Sequence, residues 1–366
     1  MKTRARWLAL LLAVVAILAA IVPTAALAAK KPLVIGHRGA SGSLPEHTLP
    51  AYRLAIKVGA DFIEPDLVAT KDGVLIARHE PNIGGTTDVA DHPEFASRRT
   101  TKTVDGQPVT DWFASDFTLA EIKTLRAVQS RGGRPTEFDG KFRIPTLQQV
   151  IRLAKRQSRR EGRRIGIYPE TKHPTFHQDI GLPLERRLVR ALRRNRMNKR
   201  RSAVFIQSFE QANLKQLNTM TPVRLVQLVD AWDTNEDGSM VYAETSTRPY
   251  DWTRSGRTDT YGHFVTDAGL AEVKTYADGI GPWKPHIVPQ NSSGTVVFRP
   301  TDLVRRAHER GLLVHTWTFR DDAYPSAWTG GPISEYLAFY GARVDGVFSD
   351  FPETAFAARE IFWRGY

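Results

Sequence analysis

Short β-type runs alternate with helix-like stretches along most of this 366-residue chain. Each run is apolar, rich in β-branched residues and bounded by Gly, Pro or polar residues, which predicts a buried strand. The eight runs occupy residues 33–37, 61–67, 73–79, 164–170, 203–209, 223–229, 311–319 and 344–350. Helical segments between many of them predict a parallel sheet, and eight such units predict a (β/α)₈ TIM barrel. A doubly wound open sheet is the alternative, but no Gly-rich dinucleotide motif follows the first run.

Two polar stretches interrupt this alternation. Residues 80–143 are rich in Thr, Asp, Gly, Arg and Pro, and residues 230–262 are polar with interspersed Trp and Tyr. Both are too long for ordinary barrel loops, so we interpret them as insertions, the first of which follows the third predicted strand. Insertions after strand carboxyl ends lie on the face where barrel enzymes build their active sites. We expect one barrel domain over residues 29–366 that carries both insertions.

Residues 1–28 have the pattern of a secretory signal peptide. Lys2, Arg4 and Arg6 precede an apolar run over residues 7–22, and an A-x-A cleavage pattern ends at Ala28. The run is shorter than the roughly 20 apolar residues of a membrane-spanning helix, so cleavage is the prediction and a retained anchor the alternative. We therefore expect a secreted, extracellular or periplasmic protein without a stable membrane span. Because the sequence contains no Cys, export requires no disulfide formation.

Charged side chains gather at the predicted strand ends. Because side chains alternate across a strand, Glu64 and Asp66 share one face, as do Glu170 and Lys172. Three carboxylates that converge from two strands form an oxygen-rich cage suited to Ca²⁺ or Mg²⁺ rather than to a soft metal. An outward orientation of Glu64 and Asp66 would make them ordinary solvated residues, but their occurrence together with Glu170 favours the inward one.

The other strand-end residues suit chemistry at phosphorus. His37 and Arg38 end the first predicted strand, and His79 ends the third. Imidazoles exchange protons near neutral pH, whereas Arg38 and Lys172 supply fixed positive charge and hydrogen bonds to phosphoryl oxygens. The G-H-R-G segment alone is weak evidence, since glycine at a strand end often serves only a turn. The combination predicts phosphodiester cleavage.

Several longer segments carry a resemblance to a known family. They are VIGHRGASGSLPEHTLPAY (34–52), GADFIEPDLVATKDGVLIARHE (59–80), TTDVAD (86–91), DFTLAEIKTL (116–125), GIYPETK (166–172), YADGIGP (276–282) and VHTWT (314–318). In this order they resemble the glycerophosphodiester phosphodiesterases, especially the exported bacterial type, from about residue 33 to residue 354. The resemblance implies a (β/α)₈ barrel with an insertion after the third strand, in agreement with the strand count and with the stretch at 80–143.

The resemblance implies a role for the basic and aromatic residues at the strand ends. His37 and His79 correspond to the general acid and base of the family. Arg38 and Lys172 correspond to its phosphate ligands. Trp317 is similar to the aromatic wall against the glycerol half of the substrate, although core packing explains a Trp at this position equally well.

The resemblance also implies a metal ion and a reaction route. Glu64, Asp66 and Glu170 correspond to the ligands of one divalent cation, for which we expect Ca²⁺ in preference to Mg²⁺. In the family, the substrate's own glycerol hydroxyl attacks phosphorus and expels the alcohol. The resulting cyclic phosphate is then opened by water to glycerol 3-phosphate. This route is physically reasonable because the internal nucleophile is already close to phosphorus.

Two positions differ from the common family pattern, and a third has a role that the resemblance does not assign. Glu80 follows His79 where many members have Asp, and Pro65 lies between two of the predicted metal ligands. Pro65 has no N–H to donate to a sheet, so it suits a strand end or a bulge. Glu46, in the PEHT segment, either contacts the metal or caps the following helix, and it is left out of the predicted metal set.

Residues 233–244 match the ligand pattern of a calcium-binding EF-hand loop, from Asp233 through Asp237 and Gly238 to Glu244. The flanking helices of an EF-hand are not predicted, because a strand-like run precedes the loop and an irregular segment follows it. We interpret the segment as a turn within the second insertion, with bound calcium as the alternative.

Two Arg-rich stretches, residues 152–164 and 186–201, contribute strongly to the net charge of +12. Leu184, Leu188 and Leu192 mark an apolar helix face surrounded by basic residues, which indicates a solvated helix exterior rather than nucleic-acid binding. A polymer of glycerol phosphate such as teichoic acid is a further candidate partner for this positive surface.

Two other functions are compatible with parts of the sequence. An exported phospholipase or sphingomyelinase-like enzyme of the same barrel lineage would need an apolar groove for acyl chains, which the polar stretch at 80–143 does not indicate. A non-catalytic binder of anionic glycerol-phosphate polymer would be favoured by loss of a histidine or a metal carboxylate, and none is lost. We therefore expect small glycerophosphodiesters as substrates and no nucleic-acid partner.

Overall fold

The computed structural model describes residues 31–243 and 247–365. The predicted signal peptide lies outside these ranges, as does Glu244 of the EF-hand-like segment. Within the described ranges, no helix combines the length and the apolar character needed to cross a membrane.

The strands are short and most of the helices lie between them along the chain. The strands are β1 (Leu33–His37), β2 (Phe62–Glu64), β3 (Asp66–Ala69), β4 (Leu75–Ala77), β5 (Thr100–Val104), β6 (Gln107–Asp111), β7 (Arg126–Ala127), β8 (Phe142–Arg143), β9 (Gly166–Ile167), β10 (Glu170–Thr171), β11 (Phe205–Ser208), β12 (Arg224–Val229), β13 (Asp233–Thr234), β14 (Met240–Val241), β15 (Gly279–Pro282), β16 (Leu313–Phe319) and β17 (Gly346–Ser349). The α-helices are Leu49–Lys57, Leu119–Ile122, Leu147–Arg160, Pro174–Asp179, Glu185–Arg194, Gln211–Met220, Tyr250–Ser255, Asp267–Lys274, Leu303–Glu309, Pro332–Gly341 and Pro352–Arg364.

Eight parallel strands close into a barrel. β2 and β3 are two halves of one strand, and β9 and β10 are two halves of another, because β2 pairs with β9 while β3 pairs with β10. The ring runs from β1 through these two strands to β11, β12, β15, β16 and β17, and β17 pairs in parallel with β1. The prediction of a (β/α)₈ barrel is confirmed.

The breaks within the two divided strands result from proline. Pro65 and Pro169 have no backbone N–H, so the ladder lacks a donor at each of them. The strands continue to pair on both sides of the break, since Tyr168 N–H donates to the Ile63 carbonyl (2.9 Å) and Glu170 N–H donates to the Pro65 carbonyl (3.0 Å). The side chains at positions 64 and 66 therefore stay on one face of a single strand.

The barrel wall differs from the prediction at two strands. The run predicted as the third strand, residues 73–79, forms β4, which pairs antiparallel with β3 and lies outside the ring. β15 completes the wall, although its sequence Gly-Ile-Gly-Pro has little β propensity. A Cβ at Gly279 would lie 2.7 Å from the Leu313 carbonyl oxygen, and a Cβ at Gly281 would lie 2.7 Å from Leu228 Cδ2. Close packing therefore requires glycine at both positions. Because glycine lacks the β-branched side chain typical of strands, the sequence pattern does not predict β15.

The stretch at 80–143 has a small apolar core of its own. It contains the β5–β6 hairpin, the β7–β8 pair and the helix Leu119–Ile122. Its core side chains pack together with two from the β3–β4 hairpin, and the cluster consists of Val68, Ile76, Ile83, Val89, Phe95, Ala114, Phe117, Ile122, Leu125 and Ile144. Because Val68 and Ile76 belong to that hairpin, β4 joins the insertion to the carboxyl end of the second barrel strand.

The helices cover the outside of the barrel with their apolar faces. Leu184, Leu188 and Leu192 are fully buried, whereas Arg186 and Arg190 on the same helix are exposed. This distribution confirms the prediction of a solvated basic exterior on a helix that packs through its leucines.

The close packing at β15 predicts that an added methyl group lowers the stability of the protein there, but not at a glycine with open space around it. We expect Gly279→Ala to lower the free energy of unfolding by about 1–3 kcal/mol, because the new Cβ must displace the Leu313 backbone. Gly341→Ala is the matched control, since a Cβ at Gly341 meets nothing within 4 Å. Urea unfolding measures both, and equal stabilities for the two variants would contradict the packing argument.

Candidate active site

Inside the barrel, an apolar layer of side chains is followed by a mostly polar layer two residues further along the strands. Its apolar layer consists of Ile35, Phe62, Tyr168, Phe205, Val226 and Phe348. Two residues further along the same six strands stand five polar residues and one leucine, namely His37, Glu64, Glu170, Gln207, Asp350 and Leu228. Because side chains two residues apart point to the same face of a strand, the second set lies above the first, at the carboxyl ends of the strands. The strands thus gather the polar groups over an apolar floor.

The structure brings Glu64, Asp66 and Glu170 together. One carboxylate oxygen from each lies within 4.8 Å of the others, and all three side chains are buried. Asp66 Oδ1 is buried and has no hydrogen-bond partner among the described residues. A buried carboxylate oxygen without a partner is costly, so this atom and its two neighbours fit the ligand set of a hard divalent cation.

The three carboxylates differ in their tendency to ionise. Burial and the charge of Asp66 raise the pKa of Glu64 well above its ordinary value. Burial raises the pKa of Glu170 to about 8. Burial acts in the same direction on Asp66, but His47 and Arg38 hold its pKa well below the usual range. Positive charge from a bound divalent cation would allow all three groups to ionise together.

His37 is held by a carboxylate that the sequence analysis did not select. Its Nδ1 lies 2.6 Å from Asp350 Oδ1, and Asp350 Oδ2 accepts hydrogen bonds from Arg134 (2.6 Å) and Arg320 (3.1 Å). Burial and the charge of Arg38 lower the pKa of His37, so the ring is neutral at neutral pH. With Nδ1–H donating to Asp350, Nε2 carries the lone pair and can accept a proton.

His79 is more open than His37. About a third of its side chain is exposed (32%), and its Nε2 lies 3.4 Å from Glu80 Oε1. Burial of the ring and the charges of Arg38 and Lys172 lower the pKa of His79 well below its ordinary value. An anionic phosphodiester beside these cations would offset their charge and favour the protonated ring. His79 can therefore gain the proton that a general acid needs when the substrate binds.

Arg38 is fixed through its backbone and its guanidinium. The residue has a left-handed backbone (φ +59°), and its N–H donates to Glu64 Oε2 (2.8 Å). Its Nη1 donates to Glu46 Oε2 (3.0 Å), which also accepts from Ser130 Oγ (2.7 Å). Glu46 therefore orients Arg38. The helix cap is Thr48, whose side chain accepts a backbone N–H from the first turn.

Lys172 and Trp317 face the same cavity. Lys172 Nζ lies 3.1 Å from Glu170 Oε1 and 5.7 Å from the centre of the Phe209 ring. Trp317 Nε1 donates to the Gly281 carbonyl (2.6 Å), and the indole meets Phe209 edge to face at 5.7 Å. The cavity has a volume of about 230 Å³, and the predicted site residues that line it are His37, Arg38, His79, Glu170, Lys172 and Trp317.

Further residues contact the carboxylate group without having been predicted. His47 Nε2 lies 3.0 Å from Asp66 Oδ2. Gln207 Nε2 lies 3.4 Å from Glu64 Oε1. Gln207 and Asp350 both stand near the carboxyl ends of predicted strands, so the rule that selected the other residues also applies to them. His47 lies in a loop, and no periodic pattern indicates its contact.

The EF-hand-like segment forms a tight turn between β13 and β14. Asp237 Oδ1 accepts hydrogen bonds from the backbone and hydroxyl of Ser239, and Glu236 accepts from Asn291 Nδ2 (3.2 Å). These carboxylates are engaged within the protein. In residues 31–243 and 247–365, the triad at the strand ends is the one cluster of three possible ligands close enough to share an ion.

Comparisons with known proteins agree with this geometry. The profile of the glycerophosphoryl diester phosphodiesterase family matches residues 37–354. A glycerophosphodiester phosphodiesterase of Arabidopsis thaliana is 38% identical over 336 residues, which cover 88% of this chain and 84% of the relative. A glycerophosphodiester phosphodiesterase of Haemophilus influenzae is 32% identical over 341 residues, with 88% of each chain covered.

Solved structures show the same fold. A phosphodiesterase of Oleispira antarctica, in complex with the product sn-glycerol-3-phosphate, superposes with a TM-score of 0.59 at 20% identity, covering 90% of this chain and 97% of the other. The family profile spans nearly all of the barrel, and both sequence relatives exceed 30% identity over most of their length. The chain belongs to the glycerophosphoryl diester phosphodiesterase family.

Proposed function

We propose that this protein hydrolyses glycerophosphodiesters to glycerol 3-phosphate and an alcohol in the strand-end cavity. The observation that carries the proposal is that two histidines, Arg38 and Lys172 line one cavity together with a member of the buried carboxylate triad. The names of the sequence relatives support the substrate class. The product bound to the Oleispira antarctica enzyme supports the identity of the phosphate product.

The cavity offers different surroundings to the two halves of the substrate. Arg38 and Lys172 provide the positive charge for the phosphate, which requires hydrogen bonds and charge compensation as it gains charge. Trp317, Leu228 and Phe348 form an apolar wall suited to the carbon atoms of glycerol. This arrangement holds the free glycerol hydroxyl close to phosphorus, on the side of the cavity that His37 lines.

In the first half of the reaction, His37 Nε2 takes the proton from the glycerol hydroxyl next to the phosphoester. Asp350 stabilises the imidazolium that results, through its 2.6 Å contact with Nδ1. The hydroxyl oxygen forms a bond to phosphorus while the bond from phosphorus to the departing alcohol breaks. His79 gives its proton to the oxygen of that alcohol, and a cyclic phosphodiester stays in the cavity.

The second half reverses the two proton transfers. His79 takes a proton from water, whose oxygen bonds to phosphorus. The bond between phosphorus and the ring oxygen breaks, and His37 returns its proton to that oxygen. The product is glycerol 3-phosphate, and both histidines regain their initial states.

Glu64, Asp66 and Glu170 would hold one divalent cation, with Ca²⁺ preferred over Mg²⁺ because the site supplies several carboxylates from the protein itself. When bound, the cation supplies positive charge that polarises the phosphoryl group.

We also propose export, on the basis of the signal-peptide pattern in residues 1–28. A polymeric substrate has weaker support. The basic stretches at 152–164 and 186–201 lead into the amino ends of β9 and β11, whereas the cavity lies at the carboxyl ends of the strands. Small glycerophosphodiesters therefore fit the site better than a polymer held on the basic surface.

The product pattern tests the proposed function. We expect the protein to release glycerol 3-phosphate from glycerophosphocholine, with cyclic glycerol phosphate as a transient species in ³¹P NMR. His37→Ala should lower kcat by about 10²–10⁴-fold, because the proton acceptor is removed. Release of phosphocholine would contradict the route, and faster turnover of lysophosphatidylcholine would favour the phospholipase alternative.

The contact between His37 and Asp350 predicts that Asp350 affects kcat, although Asp350 does not line the cavity. We expect Asp350→Asn to lower kcat by about 10²-fold or more with little change in KM, because the imidazolium loses its stabilising charge. Asp322→Asn is the matched control, since Asp322 binds the same Arg134 (2.6 Å). Similar activities of the two variants, at similar thermal stability, would exclude the proposed role of Asp350.

Metal removal tests the carboxylate triad. We expect a chelator to abolish activity and added Ca²⁺ to restore it. Ca²⁺ at 100 times its Kd should stabilise the protein by about 2.7 kcal/mol, seen as a higher Tm. Glu64→Gln should lose this increase, and Asp237→Ala in the EF-hand-like turn should keep it. The opposite pattern would place the calcium site in the turn.

A further inference from the structure

A second cavity opens from the catalytic one. It has a volume of about 550 Å³ and shares Glu170, Lys172, Phe209 and Asp230 with the catalytic cavity. A phosphate bound at Lys172 therefore lies at the junction of the two cavities. We call this second cavity the outer groove. A substrate whose glycerol half lies against Trp317 would extend its leaving alcohol into this groove.

The outer groove has aromatic walls. Phe209, Trp232, Tyr250 and Tyr261 line it. Trp232 is 65% exposed, the highest value among the large hydrophobic residues that the structure describes as exposed. Phe209 and Tyr261 contact each other edge to face at 5.9 Å. Aromatic faces attract ammonium groups through their quadrupole, by about 0.5–2 kcal/mol each.

Asp230 is a carboxylate of the outer groove without an ion pair. Its Oδ1 accepts the backbone N–H of Ala231 (2.8 Å), and it forms no ion pair within 4.0 Å among the described residues, although the charge of Lys172 acts on it from a longer distance. Glu80 and Asp105, in contrast, both contact His173, at 2.6 and 2.8 Å. The negative charge of Asp230 therefore has only the distant Lys172 to compensate it, and a ligand cation could contact it directly.

Other ionisable groups of the groove have hydrogen-bond partners within the protein. Arg248 donates to the carbonyl oxygens of Thr258 (2.7 Å) and Asp259 (3.0 Å). Glu210 accepts hydrogen bonds from the backbone and hydroxyl of Thr175. Burial raises the pKa of Asp230 to about 6, as expected for a carboxylate shielded from water with no cation in contact.

We propose that the outer groove selects glycerophosphodiesters whose leaving alcohol carries an ammonium group, and that Asp230 is the residue that determines this specificity. The proposal rests on the proposed function and names its substrate class. The ammonium group lies against the aromatic walls, with Asp230 as its counter-ion. A neutral alcohol in the same position leaves the partly buried carboxylate without compensation, which disfavours that substrate.

A substrate comparison tests the proposal. The values of kcat/KM are measured for glycerophosphocholine and glycerophosphoethanolamine, whose alcohols are cationic, and for glycerophosphoglycerol, whose alcohol is neutral. We expect Asp230→Asn to lower kcat/KM about tenfold for the two cationic substrates, which corresponds to about 1.4 kcal/mol, and to change the neutral one less than about twofold. Asp259→Asn is the matched control, because it removes an exposed carboxylate of the same insertion that pairs with Arg257.

A binding measurement separates this proposal from the proposed function. Choline chloride alone is titrated against the protein by tryptophan fluorescence, with NaCl at equal ionic strength as the reference. We expect saturable binding to the unmodified protein and to Asp259→Asn, and loss of binding in Asp230→Asn. If no glycerophosphodiester is hydrolysed, the proposed function fails while the titration still decides the role of the groove.

Three outcomes would overturn the proposal. An equal loss of kcat/KM on all three substrates would place Asp230 on the glycerol half of the site or in folding. An unchanged ratio between cationic and neutral substrates would remove its role in specificity. Equal choline binding by Asp230→Asn and the unmodified protein would show that the carboxylate does not hold the ammonium group.

Discussion

The site depends on the burial of three carboxylates at one rim of the barrel. Their mutual repulsion and loss of hydration would keep them protonated unless positive charge compensates them. The protein supplies part of that charge through Arg38 beside Asp66 and through Lys172 beside Glu170. His47 contributes a hydrogen bond to Asp66 rather than a charge, because burial lowers the pKa of its ring to about 4. Arg38 and Lys172 also line the cavity, so the charges that stabilise the carboxylates are those that would attract a phosphate in the proposed mechanism. Metal binding and phosphate binding would thereby be coupled through the same side chains.

The insertion at 80–143 takes part in this arrangement. Its Arg134 donates to Asp350, directly after the eighth barrel strand, and pairs with Asp322 beyond the seventh. Its Ser130 donates to Glu46. With one Asp350 oxygen occupied by arginine, the other is directed to His37. The insertion therefore orients a histidine and an arginine of the site from the outside, in addition to forming one side of the rim.

Much of the fold follows from local patterns, and the exceptions have physical reasons. The bounded apolar runs rich in β-branched residues predict seven of the eight barrel strands, because each strand is buried on both faces. β15 is not predicted, since steric crowding requires glycine at positions 279 and 281, which removes the β-branched signal. β4 has the composition of a buried strand because it covers the small core of the insertion, even though it lies outside the ring. The composition of a segment therefore indicates that the segment is buried, but it does not indicate which element the segment packs against.

The sequence by itself determined which chemical groups stand at the strand ends and on which face they lie, because side-chain alternation is a local property of the backbone. Only the tertiary structure decided which groups meet. His37 and Asp350 are 313 residues apart and become neighbours because β17 pairs with β1 when the ring closes. The contact of His47 with Asp66 and the position of Asp230 between two cavities depend likewise on how loops and strands pack. Which side chains contact each other, and which charged groups lack an ion pair, is decided only when the barrel closes. Contacts between segments that are distant in the chain produce no periodic pattern in the sequence.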